Sequence, residues 1–170
     1  MNNRLEKTIE ILAWIVTTLL LIKYVPKNRI REASLSFIFK QAITWLFGLV
    51  VVENKLISYP YRLFFKKSNK ASFTFEYFVY PSLCCLFNLY YPEKKQPIIK
   101  FAYYFIHTSI ITVFEIIAEK YTDLIKYNRW KWYFSFITIW LSYYISRVYY
   151  RWLCKRRSVN GKVFYNLFKS

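Results

Sequence analysis

Glycine is nearly missing from this chain, with 2 in 170 residues. That scarcity leaves no GxxxG packing motif, and no P-loop, GxSxG or dinucleotide fingerprint occurs. No cofactor is therefore expected. Histidine occurs once, at His107, without partners at HExxH or Cys/His spacing, so no metal centre is expected. The 3 cysteines have no paired spacing, and two of them, Cys84 and Cys85, are adjacent. This excludes a disulfide or zinc scaffold. Acidic residues are scarce too, 9 against 26 Lys and Arg, for a net charge of +17. No internal repeat and no low-complexity linker appears.

What is present is apolar and aromatic. Apolar residues make up 56% of the chain and aromatics 23%, with 16 Phe, 17 Tyr and 6 Trp. Disorder is excluded by that content. A chain both very apolar and very basic reads as hydrocarbon spans joined by cationic loops. The expected fold is all-α: an integral membrane bundle of about five transmembrane helices with one or two short interfacial helices.

A span needs about 20 mostly apolar residues. The expected spans are 9–25, 33–52, 73–91, 98–118 and 133–153. They form one domain over 1–157, followed by a basic tail over 158–170. Pro26 ends the first span. It follows Arg4 and Lys7, as a signal peptide would, but no small-x-small cleavage site follows it, so it reads as retained. Ser72 is the expected N-cap of the third span and Pro92 its stop. Pro81 should kink that span, with hydroxyls or water satisfying the freed carbonyl. Pro97 suits the first turn of the fourth. The connectors 56–67 and 119–132 admit two readings: short helices in the headgroup layer, or spans extended by a turn or two into water. The cluster Trp130-Lys131-Trp132-Tyr133 reads as an interfacial anchor.

Five spans put the termini on opposite sides. The side holding the C-terminus carries 14 cations and the other 11, with Lys40 inside a span. The positive-inside rule then favours a cytoplasmic C-terminus. Seven acids (Glu6, Glu10, Glu53, Glu76, Glu115, Glu119 and Asp123) lie on the N-terminal side, and only Glu32 and Glu93 on the other. The more basic face should attract anionic lipids. The rings and cations of Tyr149 to Arg157 resemble a single-strand binder's, but they cap a hydrocarbon span, where they serve as headgroup anchors. No nucleic-acid partner is expected. Cys154, at a membrane edge, has the setting of an acylated cysteine.

Polar groups inside spans need a reason. A lysine at mid-helix costs roughly 2.5–3.5 kcal/mol on insertion scales. Lys40 has three open readings: snorkelling to the headgroups, pairing with a carboxylate of another span, or lining a polar path. Ser36, Lys40 and Thr44 share a face that should turn toward protein. Glu76 and Glu115 lie near one membrane edge, with Glu10 close by. Thr108, Thr112, Glu115 and Glu119 form a stripe on the fourth span. These acids are either neutralised by Arg62, Lys66, Arg129 or Lys131, or Glu76 and Glu115 share a cation or proton site. His107 is either a hydrogen-bonded buried histidine or a proton handler with Glu115. The candidate polar or ion site is thus Lys40, Glu76, Glu115, Glu119 and His107. Ser135, Thr138, Ser142 and Ser146 form the expected helix-packing face of the fifth span.

The stretches Phe73 to Pro81, Tyr91-Pro92-Glu93-Lys94 and Trp130-Lys131-Trp132-Tyr133, with Thr44 to Gly48 and the Tyr59 to Lys67 connector, carry a likeness. From about Pro26 to Trp152, the chain resembles a family of small uncharacterised multi-pass membrane proteins of endospore-forming Gram-positive bacteria. The resemblance implies a bacterial plasma membrane and a helical bundle; it implies no site residues. The expected function is a non-enzymatic structural, accessory or regulatory membrane component, acting with a membrane-protein partner or as a homo-oligomer. The alternative is a small ion- or proton-coupled transporter or channel subunit.

Overall fold

The computed structural model describes residues 4–65 and 70–167, with side chains as far as residue 154. The protein is all-α, 77% helical with five helices. These are α1 (Arg4–Tyr24), α2 (Ile30–Glu53), α3 (Tyr80–Leu89), α4 (Pro97–Tyr121) and α5 (Trp132–Leu167). A 3-10 turn, Lys27–Arg29, leads from Pro26 into α2. The prolines act as the sequence suggests: α1 stops just before Pro26, α3 stops before Pro92, and α4 opens on Pro97.

Pro81 has a larger effect than a simple kink. Proline cannot donate a backbone hydrogen bond. The turn before it widens into a π-helix, Phe73–Val79, where the Tyr80 N–H reaches back to the Phe75 carbonyl. Ser82 Oγ donates to the Phe78 carbonyl at 2.7 Å, so a hydroxyl does serve a carbonyl at the kink. Ser72 stands at the N-cap, but its side chain makes no capping bond.

The two connectors differ from expectation. Among the described residues neither forms an interfacial helix. Ile57–Ser58 (β1) and Lys126–Tyr127 (β2) instead pair antiparallel, Ile57 opposite Tyr127 and Ser58 opposite Lys126. The pairing continues as Asn128 and Arg129 N–H to the Leu56 carbonyl, and as Tyr61 N–H to the Asp123 carbonyl at 2.8 Å. Two polar backbones that meet at one end of a bundle satisfy each other more fully than two separate amphipathic turns would. Lys66 and Lys67 lie outside the described residues. α5 runs on as helix to Leu167, through most of the basic tail expected over 158–170.

Between α2 and β1 the chain turns through a Schellman end. Leu56 N–H reaches the Val51 carbonyl, Lys55 N–H reaches the Val52 carbonyl, and Lys55 takes a left-handed φ of 53°.

Burial is inverted relative to a water-soluble bundle. Lys40, Glu10, Asn88, Ser36 and Thr108 are buried. Outward-facing positions carry Leu12, Ile15, Leu19 and Ile22 on α1, Ile38 and Leu46 on α2, Phe105, Ile110 and Phe114 on α4, and Ile137 and Leu141 on α5. Two segments, Lys27–Glu53 and Pro97–Tyr121, are long and apolar enough to cross a membrane, at 27 and 25 residues. The other helices are more charged, as α1 is with Lys7, Glu10 and Lys23, or shorter, as α3 is at 10 residues.

The central helix is α3, which packs on α1, α2 and α5. Its Cys84 and Phe87 join Tyr104, Ile111 and Tyr143 in a buried cluster. Asn88 Nδ2 donates to Ser36 Oγ of α2 at 3.0 Å and to Ser146 Oγ of α5 at 3.1 Å. One amide thus ties three helices where no water competes.

Candidate functional site

The stripe Ser36, Lys40, Thr44 and Gly48 recurs every four residues and turns one face of α2 inward. Lys40 is only 2% exposed. Its Nζ donates to Ser142 Oγ of α5 and lies 4.9 Å from the centre of the Tyr143 ring. A buried ammonium this far from the surface corrects the snorkelling reading. Pairing is corrected too: among the described residues the ion pairs are Arg29–Glu32, Arg147–Glu93 and Arg151–Glu93, and none includes Lys40.

The π-helical turn sets Glu76 against α2. Thr44 Oγ1 donates to the Glu76 carbonyl at 2.7 Å. The Glu76 carboxyl lies against Gly48, where an added Cβ would make that side chain shift. Tyr59, from the connector after β1, stands near the Glu76 side chain. Glu76 Oε2 is buried without a hydrogen-bond partner.

Glu115, on α4, is held by a second set of hydroxyls. Its Oε1 accepts from Tyr127 of β2 at 2.7 Å and from Ser135 of α5 at 2.6 Å. Ser135 in turn accepts from Trp130 Nε1 at 2.8 Å. Hydroxyls are the groups that bond Glu115, in place of the cations expected there. Arg62 donates to the carbonyls of Tyr59 and Lys70.

These groups line one half-open cavity of about 100 Å³. Its walls are Lys40, Thr44 and Gly48 of α2, Glu76 of the π turn, Tyr80 of α3, Ile111 and Glu115 of α4, and Ser135, Thr138, Ser142 and Tyr143 of α5. Ile57, Tyr59 and Trp130 close it at the end where the connectors pair. The connectors thus form a lid over one end, tied to Glu115 by Tyr127. Burial raises the Tyr59 and Tyr127 phenols well above their ordinary range, and the neighbouring carboxylates add to the shift. Both therefore remain proton donors at neutral pH.

Lys40, Glu76 and Glu115 are brought together; Glu119 and His107 are not. Glu119 is half-buried near the end of α4, where its backbone carbonyl accepts from Lys126 Nζ at 3.0 Å. His107 is half-buried on another flank, its Nδ1 2.8 Å from the Tyr103 carbonyl and its ring edge-on to Phe87. Ser135 and Ser142 serve the cavity. Thr138 lines it while bonding back to the Phe134 and Ser135 carbonyls. Ser146 bonds Asn88 and Cys84.

Some functional groups carried little sequence signal. Tyr59, Tyr127 and Tyr143 are three of 17 tyrosines. Asn88 could have been singled out as the lone amide in an apolar run. Glu10 is 1% exposed and accepts from Thr74 Oγ1 at 2.6 Å and from Leu63 N–H at 3.3 Å, fastening α1 to the π turn. Arg147, counted above with the loop cations, is buried within α5 at the far end of the bundle.

Among the described residues no group of three His, Cys, Asp or Glu side chains is placed to hold a metal ion. No family profile, curated protein or solved structure matches the chain.

Proposed function

We propose that the chain is a multi-pass protein of the bacterial plasma membrane. Its five helices span the lipid, and it acts without catalysis as an accessory or regulatory component that holds a small polar ligand inside the bundle. The observation that carries this reading is the inverted burial. Outward faces of α1, α2, α4 and α5 are apolar, while lysine, glutamate and asparagine lie within. Water would penalise that arrangement and hydrocarbon favours it. The α3 segment counts as a span in this reading because the π turn and α3 together run from Phe73 to Leu89.

A cytoplasmic C-terminus would set the lidded cavity toward the outer leaflet. It would leave Arg29, Arg147 and Arg151 near anionic inner-leaflet lipids. A membrane-protein partner or a second copy would dock on the apolar outer faces. Tags on the two ends test the topology: they should react with impermeant reagents from opposite sides of the membrane, and the protein should resist carbonate extraction. Reaction of both tags from one side overturns five spans.

A second reading, a small ion- or proton-coupled transporter or channel subunit, is favoured by one observation. Lys40, Glu76 and Glu115 share a single cavity although they come from three separate segments. Purified protein in liposomes should then pass H⁺, Na⁺ or K⁺, and Glu76→Gln or Glu115→Gln should abolish the flux while the fold persists. Absence of flux from the unaltered protein removes this reading.

A further inference from the structure

Away from the lid, four helix ends share one level of the bundle. The Tyr90 hydroxyl donates to the Tyr24 carbonyl at 2.8 Å, joining the end of α3 to the end of α1. Arg29 Nη1 donates to the Leu89 carbonyl at 3.0 Å, joining the approach to α2 to the end of α3. Tyr91, just past α3, packs its ring against Tyr103 and Tyr104 of early α4. Helix α5 runs on past this level. Where it passes, a crevice opens, lined by Arg29, Glu93, Arg147, Val148, Arg151 and Trp152.

Three arginines reach the crevice, and they are not equivalent. Arg29 bonds Glu32, the Leu89 carbonyl and the Tyr150 hydroxyl through its three nitrogens. Arg147 is 6% exposed, donates to the Asn88 carbonyl and to Glu93, and lies 4.3 Å from the centre of the Tyr91 ring. These two build the wall. The Arg151 side chain is 69% exposed, and its Nε stands 3.7 Å from Glu93, beyond hydrogen-bond reach. Its guanidinium is left open to the outside.

The charge at this mouth is positive. Glu32 and Glu93 are both held by arginine. Among the described residues Lys94 and Lys95, exposed beside Glu93, form no ion pair. An open guanidinium fork matches two oxygens of a phosphate.

A free phosphate would use that fork alone, but the surface beside it is apolar. Leu141, Ile145, Val148 and Trp152 fall on one stripe of α5, and all four are exposed. The stripe runs along α5 to the crevice, where Val148 and Trp152 form part of the lining. An indole at that point suits the headgroup layer. An apolar track that ends at a cation fits an acyl chain that ends at a phosphodiester.

We propose that this crevice is a headgroup site for an anionic phospholipid, with the Arg151 guanidinium on the phosphodiester and an acyl chain along Leu141, Ile145 and Val148. The proposal rests on the membrane reading above. It goes further, because general attraction to a basic face needs no particular residue, whereas this site needs Arg151.

The test uses the full-length protein in detergent micelles, with phosphatidylglycerol, phosphatidylcholine and inorganic phosphate as probes. Native mass spectrometry over a lipid titration gives the number retained and the apparent affinity. Phosphatidylglycerol should bind at least about tenfold more tightly than phosphatidylcholine, whose choline is disfavoured at a positive mouth. Inorganic phosphate should not displace it. Arg151→Gln should weaken phosphatidylglycerol about tenfold, the loss of one charge-assisted contact. Lys95→Gln removes the same charge from the same end but outside the crevice, and should leave the affinity within about twofold. Arg151→Lys should still lose affinity, because an ammonium does not match the fork.

Arg151 is exposed, so its variants should fold, and equal unfolding temperatures in lipid-free micelles check this. Trp152→Ala leaves the charge unchanged and should also weaken phosphatidylglycerol; an unchanged affinity there overturns the placement of the lipid on this stripe. Equal losses in Arg151→Gln and Lys95→Gln overturn the site in favour of diffuse attraction by the whole basic face. Equal binding of phosphatidylcholine, or displacement by inorganic phosphate, overturns the lipid class. The tags described above decide the spans and the lipid titration decides the site, so either can fail without the other.

Discussion

At the C-terminal end of α3, buried Arg147 meets Glu93 and the Asn88 carbonyl. Beside it Arg29 meets Glu32, the Tyr150 hydroxyl and the Leu89 carbonyl. At the opposite end, Lys40 meets a hydroxyl and an aromatic face, and one oxygen of Glu76 has no partner. Both ends bury charge, but they satisfy it differently. The arginines cap the last carbonyls of α3 and bond carboxylates directly, with Arg147 Nε alone left without a partner. The lysine and glutamate line a cavity with their requirement partly unmet. The difference teaches that buried charge marks architecture where it is paired and a site where it is not.

The sharpest way to break this comparison is to remove one cation from each end. Arg147→Met strips the Asn88 carbonyl of its cap and Glu93 of its close partner. It should cost roughly 2 kcal/mol of bundle stability, moderated because Glu93 is half-exposed. Lys40→Met removes a desolvated charge with no paired carboxylate, so it should be neutral within about 1 kcal/mol, or stabilising. Unfolding in mixed micelles with rising dodecyl sulfate measures both. Equal losses would erase the distinction.

Glu10→Gln comes next in size. Glu10 is architectural although it lies near the cavity end, since Thr74 and Leu63 already satisfy it. Weakening those charge-assisted bonds should cost about 1–2 kcal/mol in the same assay.

The lid gives a smaller and more local effect. Tyr127→Phe deletes one latch to Glu115 and should cost about 1 kcal/mol, which speeds amide exchange in β1 and β2 about fivefold while α3 stays protected. Exchange followed by mass spectrometry resolves the two regions.

The phenols beside the two acids set the alkaline limit of the lid. The Tyr59 and Tyr127 phenols are raised in the folded state, so the unfolded chain, with phenols near 10, loses its protons first. Lid stability should be constant below about pH 10 and fall above it. Absorbance at 295 nm should show one late-titrating phenol fewer in Tyr59→Phe and in Tyr127→Phe; unchanged profiles would place those hydroxyls in water.

Ser36, Lys40 and Thr44 were legible as an inward face because a helix repeats its side-chain direction about every four residues, and hydrocarbon leaves polar groups few other places to turn. Glu115 was legible in the same way, but Glu119 on the same stripe was not separable from it. Their fates differ because α4 ends at Tyr121 and the chain then turns across the bundle end, taking Tyr127 to Glu115 and leaving Glu119 outside the chamber. The connectors were misread for a related reason. Periodicity within 56–67 and within 119–132 says nothing of the hydrogen bonds between them, and those bonds formed the lid.

The amino-acid sequence by itself determined the all-α class, the proline-marked ends of the helices and the polar stripes. These follow from local geometry and from the cost of leaving polar groups without partners. Only the tertiary structure decided that Lys40 reaches Ser142, 102 positions away, that Gly48 makes room for the Glu76 carboxyl, and that one tyrosine among seventeen, Tyr127, ties the lid to Glu115. Such choices depend on how each helix is rotated and how deeply it sits against its neighbours, and that is a property of the packed assembly rather than of any one segment.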